Sequence, residues 1–467
     1  MKITIQMIID DEHEKIVQDI VCFQRQELSA ETLGLTLKES KAVTSGIQEK
    51  MTAHQISNYT HHQRSCLCCG KLRLIRGYNP LKYRTLFGVL HLKSPRLLEC
   101  NCQEHKKSSF SPLARILPEH IAPELLYLQS KWASLMSYGA TTKLLEEVFP
   151  LRTHPSSVFD TMVKVSTRLE EELGEEQPMF IEGCQQEWDD LPRPGAPLTV
   201  GLDGGYLHAR EGNNRKAGWF EVIVGKSLQE GEAARRFGFV TRYDTKPKRR
   251  LYEMLKQQGL QNNQDITFLT DGGDDVRDLP LYLSPKSEHI IDWFHITMRL
   301  TVIKQMLKSI SINPELSIEK LDIEEKLDSI KWCLWHGNIF KTLDNLESLE
   351  FILDFSDEST GSKLYKLWKA INEFYGYIKV NSPFIPNYAE RYRYGERIST
   401  AFAESTVNEL ISKRMVKQQQ MRWTKQGAHL LLQVRIKTLN QELRPTFEKW
   451  YPNMKQEKDS IVPLAAC

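Results

Sequence analysis

Along the 467 residues the alternation of apolar and polar positions changes character several times. The opening "MKITIQMIID" reads as a short strand, and "AETLGLTLKESKAVTSGIQEKMTAHQISNY" carries the helical period, so residues 1–60 are expected to be an N-terminal helical region. Between residues 61 and 111 the stretch "LRLIRGYNPLKYRTLFGVLHLKSPRLLE" alternates as strands do, with Gly77 and Gly88 at turns. Residues 112–185 return to helical spacing in "PELLYLQSKWASLMSYG", "TTKLLEEVF" and "SSVFDTMVKVSTRLEEELGEE". The polar, proline-rich "EEQPMFIEGCQQEWDDLPRPGAP" then predicts a linker over 186–197.

Beyond it the pattern turns to strands. Residues 198–210, 218–228 and 235–245 read as three successive strands whose short connections favour antiparallel neighbours. A helix, "KRRLYEMLKQQGL", precedes a fourth strand in "DITFLTDG", and a further helical piece precedes a fifth, "HIIDWFHI", at 289–296. Helical spacing then runs from about 297 to 398, and a last strong helix, "AFAESTVNELISKRMVKQQQ", begins near 401. That order is the order of the ribonuclease H-like fold, in which the first and fourth strands lie side by side. The expected fold class is multidomain α+β. A ribonuclease H-like α/β core with a mixed five-stranded sheet (198–299 and helices at 399–445) is interrupted by an all-α insertion at 300–398, and a tail follows at 446–467.

Composition narrows the function classes little. Hydrophobic residues make up 40% and charged residues 26%, as in globular proteins, and the net charge of +2 shows no global attraction to nucleic acid. No apolar run approaches the roughly 18 residues of a membrane span. The start is too acidic for a signal peptide, so a cytoplasmic location is expected.

The strand order gives two carboxylates a shared place. Asp203 lies within the first core strand and Asp271 at the end of the fourth, so adjacency would bring them to one sheet edge. Two carboxylates held together repel unless a cation lies between them. Mg²⁺, a hard ion with oxygen ligands, suits that place, with Mn²⁺ as a substitute, and two such ions can serve phosphoryl transfer. Gly204 and Gly205 after one acid, and Gly272 and Gly273 after the other, would leave room for a nucleic-acid backbone. A third carboxylate is needed. Glu404 opens the last strong helix with Asn408 on the same face, and Glu396 and Glu409 are rivals, while Asp274 and Asp275 compete with Asp271.

The nine cysteines are odd in number and clustered, which points to metal more than to disulfides. Cys66 and Cys69, then Cys100 and Cys102, form two chelating pairs bridged by hairpin strands, the pattern of a zinc ribbon with structural Zn²⁺. Cys68, His62 and His105 are alternatives for one ligand. Arg73, Arg76, Lys82, Arg84, Lys93 and Arg96 on the hairpin could meet phosphates. The helical pair after "SYGA", with Thr141 or Thr142 and Ser156 as caps, is consistent with a helix-turn-helix. Two basic runs complete the charge pattern: Arg235, Arg236, Lys248, Arg249 and Arg250, then Lys413, Arg414, Lys417 and Arg422, with Trp423 available to stack on a base.

Taken jointly, "CLCCGKL", "VGLDGGY", "FEVIVGKS", "TDGGDDVRDL", "DWFH" and "NYAERYRYGERISTAFAESTVNELISKRMVKQQQMRW" resemble the ISKra group of bacterial insertion-sequence transposases, over about residues 60 to 445. The resemblance implies a DDE enzyme with Asp203, Asp271 and Glu404 as its catalytic acids and Mg²⁺ ligands. It implies a role near the site for Asp292 and His295 on the fifth strand. It also implies a bacterial, nucleoid-associated protein acting on double-stranded DNA, both element ends and target, as a dimer or higher oligomer. The extra Cys68 in "CLCCG" departs from the family pattern. The alternatives are a ribonuclease H-like nuclease without strand transfer and an inactive, transposase-derived DNA-binding regulator.

Overall fold

The computed structural model describes residues 1–11, 14–100, 102, 108–181, 183–210, 218–273, 276, 279, 280, 283, 287–310, 316–353, 363–416 and 421–455. The chain divides into two compact units, Met1–Val165 with Gln441–Cys467, and Ser166–Asn440.

The first unit departs at once from the helical expectation. It opens on an antiparallel hairpin of β1 (Lys2–Asp11) and β2 (Glu14–Gln24), because alternating apolar positions continue through "EKIVQDIVCFQ", and only then turns helical. Helix α1 (Leu37–Arg64) starts where Thr36 accepts from the Glu39 N–H and the Glu39 side chain accepts from the Thr36 N–H, a reciprocal cap. The cysteine-rich stretch frames a second hairpin, β3 (Ile75–Thr85) and β4 (Gly88–Leu98), joined through Gly88 at φ +130° and extended by β5 (Ser109–Phe110). Helices α2 (Pro112–Ile116), α3 (Pro123–Leu135), α4 (Tyr138–Val148) and α5 (Pro155–Glu172, whose last turns belong to the second unit) follow. The α4 cap is Ser137, which accepts from Ala140 N–H; Thr141 and Thr142 are buried within the helix and Ser156 lies inside α5, so the caps expected there are corrected.

The second unit begins with the end of α5. Within the expected linker a short helix, α6 (Gln185–Asp189), forms, and Pro192 and Ala196 carbonyls accept from Asn263 and Gln264. The sheet strands are β6 (Leu198–His208), β7 (Trp219–Leu228), β8 (Arg235–Val240), β9 (Ile266–Thr270) and β10 (Ser287–Ile291), with α7 (Pro247–Gln257) between β8 and β9. Their spatial order is β10-β9-β6-β7-β8: the first three strands are antiparallel neighbours, β9 runs parallel to β6, and β10 parallel to β9. The first and fourth strands are therefore adjacent.

Alternation along β6 sorts its residues between two faces. Leu198, Val200 and Leu202 join Ile223, Phe237 and Phe239 in packing against Leu251, Met254 and Leu255 of α7. At about 1.5–3 kcal/mol for each fully buried side chain, this layer fixes the register. The other face carries Gly201, Asp203 and Gly205.

After β10 come α8 (Trp293–Lys308), α9 (Leu316–Trp335), α10 (Ile339–Ile352), α11 (Lys363–Asn381) and α12 (Tyr388–Arg393), which share their own apolar core around Leu327, Leu346, Phe374 and Tyr388. The expected fifth strand is thereby shortened. It ends at Ile291, and "WFHI" is the first turn of α8, because Asp292 accepts from the Phe294 N–H at 2.7 Å and caps a helix there. Helix α13 (Ala401–Val407) runs on as a π-helical stretch, Asn408–Val416, before α14 (Lys425–Leu439). The last helix, α15 (Leu443–Trp450), belongs to the first unit, where buried Phe447 meets Tyr127 edge-on; residues 443–450 are a packed helix and no tail.

Candidate functional sites: a carboxylate cluster and a four-cysteine cluster

The pairing of β9 with β6 ends at Gly201, so from Leu202 onward β6 is not paired to β9 and a notch opens at the end of β9. Asp203 stands on one side of that notch and Asp271, the first residue after β9, on the other. The stretch "TDGG" is a tight turn, with Gly272 at φ +84° donating to Thr270 Oγ1 and Gly273 N–H donating to Asp271 Oδ1 at 3.0 Å. It also fixes the carboxylate's orientation, so turn and acid are one device. From the helical region, Tyr377 Oη donates to the Asp271 carbonyl at 2.8 Å.

The third acid arrives on α13. A Cβ on Gly201 would fall 2.7 Å from the Phe402 ring and 2.9 Å from the Ala403 methyl, and one on Gly205 would fall 2.7 Å from Ile411. The helix thus lies directly on the two glycines that flank Asp203 on its own face, which brings Glu404, exposed on α13, beside the notch. These close approaches correct one expectation. The space at Gly205 is filled by the chain's own helix, and that at Gly272 by Asn381, whose Oδ1 would lie 2.7 Å from a Cβ there.

The charges register this proximity. The Asp203 carboxyl is pushed up to about 6: burial comes first, and repulsion from Asp271 and Glu404 adds to it, while the Gly204 N–H and His295 pull the other way. Gly204 N–H donates to Asp203 Oδ1 at 2.8 Å. The set is more open than the tight metal-ligand groups found elsewhere, whose ligand atoms all lie within 4.8 Å of one another.

Asp292 and His295 take a different place from that expected. Asp292 is fully buried at the N-terminus of α8, accepts from Thr400 Oγ1 just ahead of α13, and lies 3.8 Å from His295 Nε2. It is a positioning residue that ties α8 to α13, while His295, on the helix and half-buried, faces the acids. The rivals separate as well: Glu396 pairs with Arg391, Glu409 with Arg236, and Asp274 and Asp275 lie outside the described residues. Asn408 is exposed one turn beyond Glu404.

Several expected phosphate contacts are corrected by burial. Arg414 is 0% exposed, Arg250 7% and Trp423 5%, and the Trp423 ring N–H donates to the Met415 carbonyl. Arg414 and Arg250 are turned into the protein, and the Trp423 ring is nearly covered. Arg236 is paired with Glu409, Arg235 reaches the Asn440 carbonyl, and Arg249 is bonded to the Leu173 carbonyl and Glu253. Lys413 and Arg422 remain exposed, and Lys417 lies outside the described residues. On the other unit's hairpin, Arg76 and Arg84 are exposed along β3, while Arg73 is partly tied to the Gln63 and Ser65 carbonyls.

In the first unit the four cysteines converge as their spacing requires. Cys66, Cys69, Cys100 and Cys102 place their Sγ atoms within 4.8 Å of one another, a group that could hold a metal ion. Cys68 is exposed and stands outside the group, as does His62, and His105 is outside the described residues. The N–H groups of Cys68 and Cys69 face the Cys66 sulfur and hold its thiol down to about 6, which favours the thiolate a metal requires. The knuckle closes with Gly70, at φ +70°, donating to the Cys66 carbonyl at 2.8 Å.

A further charged cluster had no signal in the sequence, because its members are far apart there. Glu170, Asp244 and His429 gather within 4.8 Å. Arg250 occupies the centre, donating to both carboxylates and contacting His429 Nε2 at 2.9 Å. The guanidinium already sits where a cation would, so this group needs no metal. Burial opposes ionisation of Glu170, but hydrogen bonds from His429 and Arg250 overcome it and hold the carboxyl at about 2.

No family model and no curated protein matches the chain. Among solved structures, the Drosophila P element transposase strand transfer complex matches at 12% identity, covering 70% of this chain and 96% of that one, with a TM-score of 0.29. A likeness at that score carries no weight for fold or function, which rest on the chain's own residues. Among the described residues no helix is long and apolar enough to cross a membrane.

Proposed function

We propose that the chain is a metal-dependent DNA phosphoryl transferase, a DDE transposase built on a ribonuclease H-like core, as its resemblance to the ISKra group implies. One observation carries the reading. Three carboxylates from elements far apart in sequence act on one another at a notch in a sheet of order 5-4-1-2-3, and among the described residues the side chain that partly offsets them is the His295 ring, not an arginine or lysine. Like charges gathered at a cost to stability are characteristic of a site completed by something else.

Mg²⁺ fits the donor set, since Asp203, Asp271 and Glu404 offer oxygen ligands alone, and the Asp203 carboxyl is raised by burial first and by the charges of the other two acids after it. When bound it would supply charge neutralisation for an attacking and a leaving oxygen. The protein's own residues position: the β9 turn aims Asp271, the two glycines seat Glu404, and Asp292 fixes the helix that holds His295. The four-cysteine cluster fits a structural zinc site, because four thiolates leave no open coordination position. The first unit, with its exposed basic hairpin, is the candidate reader of element ends, and acting on two ends calls for at least a dimer.

The test is cleavage and strand transfer on labelled DNA carrying the element's own ends with Mg²⁺. Wild type is expected to cut and join, and Asp271→Ala to bind the DNA and do neither, with a rate loss of at least about a thousandfold. A wild-type protein that cuts without joining would leave a nuclease. Equal binding with no cleavage by either protein would leave the inactive regulator.

A further inference from the structure

The layer formed by Leu198, Val200 and Leu202 under α7 does not continue to the end of β6. Beyond it the same strand face presents Tyr206 and His208, with Glu221 and Trp219 as their direct cross-strand partners. Tyr206 is 60% exposed and Trp219 49%, and the His208 ring lies 4.7 Å from that of Trp219. Tyr206, Trp219 and Glu221 open onto a cavity of about 720 Å³, which Arg242 and Lys425 also line. The scale is that of a small-ligand site.

Three features of this cavity are hard to explain as packing. Two large aromatic rings lie open to solvent at its wall. Arg242 sits at φ +59°, a left-handed conformation that favours glycine, yet an arginine is kept there. Lys425, in the first turn of α14, stands at the helix end where a cation is electrostatically least welcome. Both cations are exposed at the cavity that the aromatics line. Flat rings beside paired positive charge complement a base joined to its phosphates. Glu221, which receives hydrogen bonds from Tyr206 and Thr241, adds an acceptor suited to an amino-bearing base edge.

We infer that this cavity takes an unstacked nucleobase of single-stranded DNA, with Trp219 and Tyr206 as the stacking surface, Arg242 and Lys425 on the flanking phosphates, and Glu221 selecting cytosine or adenine. Tyr206 follows Asp203 by three residues, about 10 Å along the strand, and so stands on the opposite face of the sheet from the carboxylate. The inference rests on the DNA-acting reading and adds to it a binding place for single-stranded DNA on the sheet face opposite the carboxylates.

The test measures anisotropy of labelled oligo(dC), oligo(dA) and oligo(dT) of about ten nucleotides with the full chain in EDTA, so no cleavage intervenes. Trp219→Ala should weaken oligo(dC) binding about tenfold. Arg242→Gly removes the cation and relieves the backbone. It should therefore fold at least as well as wild type, yet bind more weakly and lower the salt slope of log K by roughly 0.7. Glu221→Gln should erase the preference of dC and dA over dT. Unchanged binding in both Trp219→Ala and Arg242→Gly overturns the inference, as does the absence of any single-strand binding by wild type. Loss of cleavage in Asp271→Ala is a separate readout. A protein that binds single strands through Trp219 but never cuts loses the transposase reading alone, and one that cuts with Trp219 dispensable loses the base pocket alone.

Discussion

Two groups of acids in the same unit meet the same physical problem in opposite ways. Glu170 and Asp244 are brought together around Arg250, whose planar guanidinium answers both carboxylates, and Glu170 is held ionised far down the pH scale. Asp203, Asp271 and Glu404 have, among the described residues, only the His295 ring to offset them, and burial with mutual repulsion drives the Asp203 carboxyl up. The first group is complete in the polypeptide and serves to hold α5, α7 and α14 together. The second lacks such a partner among the described residues, and for that reason it is the one proposed for chemistry. An acid cluster in a fold is thus informative only once the search for its counter-charge has been made.

The comparison can be broken from the structural side first. Arg250→Met leaves Glu170 and Asp244 buried without their partner, and urea unfolding should show a loss of about 3–5 kcal/mol. A loss below about 1 kcal/mol would make the network a surface feature. Next in size is the acid response. Glu170 is depressed to about 2 from 4.5, so its contribution is fully present above pH 4.5 and is lost as pH falls through the folded value. Stability should drop by roughly 2–3 kcal/mol over that window, and Glu170→Gln should flatten the drop. Smallest is the opposite effect at the other cluster. Asp203→Asn removes one of the repelling charges, so the metal-free protein should gain about 1 kcal/mol at neutral pH while losing activity. A net loss of stability in that variant would mean that Asp203 is satisfied by the chain itself.

What could be read in the sequence follows from range. The strand order came from alternation and short connections, which are local, and it placed Asp203 and Asp271 at one edge. The cysteine ligand set was legible for the same reason, since chelating pairs are spaced within a turn. Local pattern failed where a competing local signal was stronger. "DWFHI" looks like a continued strand, yet an aspartate followed by a helix-compatible run caps a helix, and His295 moved with it. The expectation of one short strand followed by helices missed the second strand, although apolar positions alternate through "EKIVQDIVCFQ". The basic runs misled for a different reason: a charge run records composition, whereas Arg250 and Arg414 are decided by partners roughly 80 or more residues away or by burial. The Glu170–Arg250–His429 network had no sequence signal at all.

The seating of α13 on Gly201 and Gly205 has a consequence in time. Asp203 and Glu404 are separated by 201 residues of chain (404 − 203). At a synthesis rate of about 5–20 residues per second, roughly 10–40 seconds pass between their emergence. Asp271 follows about a third of the way through, so during that interval the nascent protein carries at most two of the three acids and a bare glycine face, and the carboxylate cluster cannot assemble until the last core helix is made and docks.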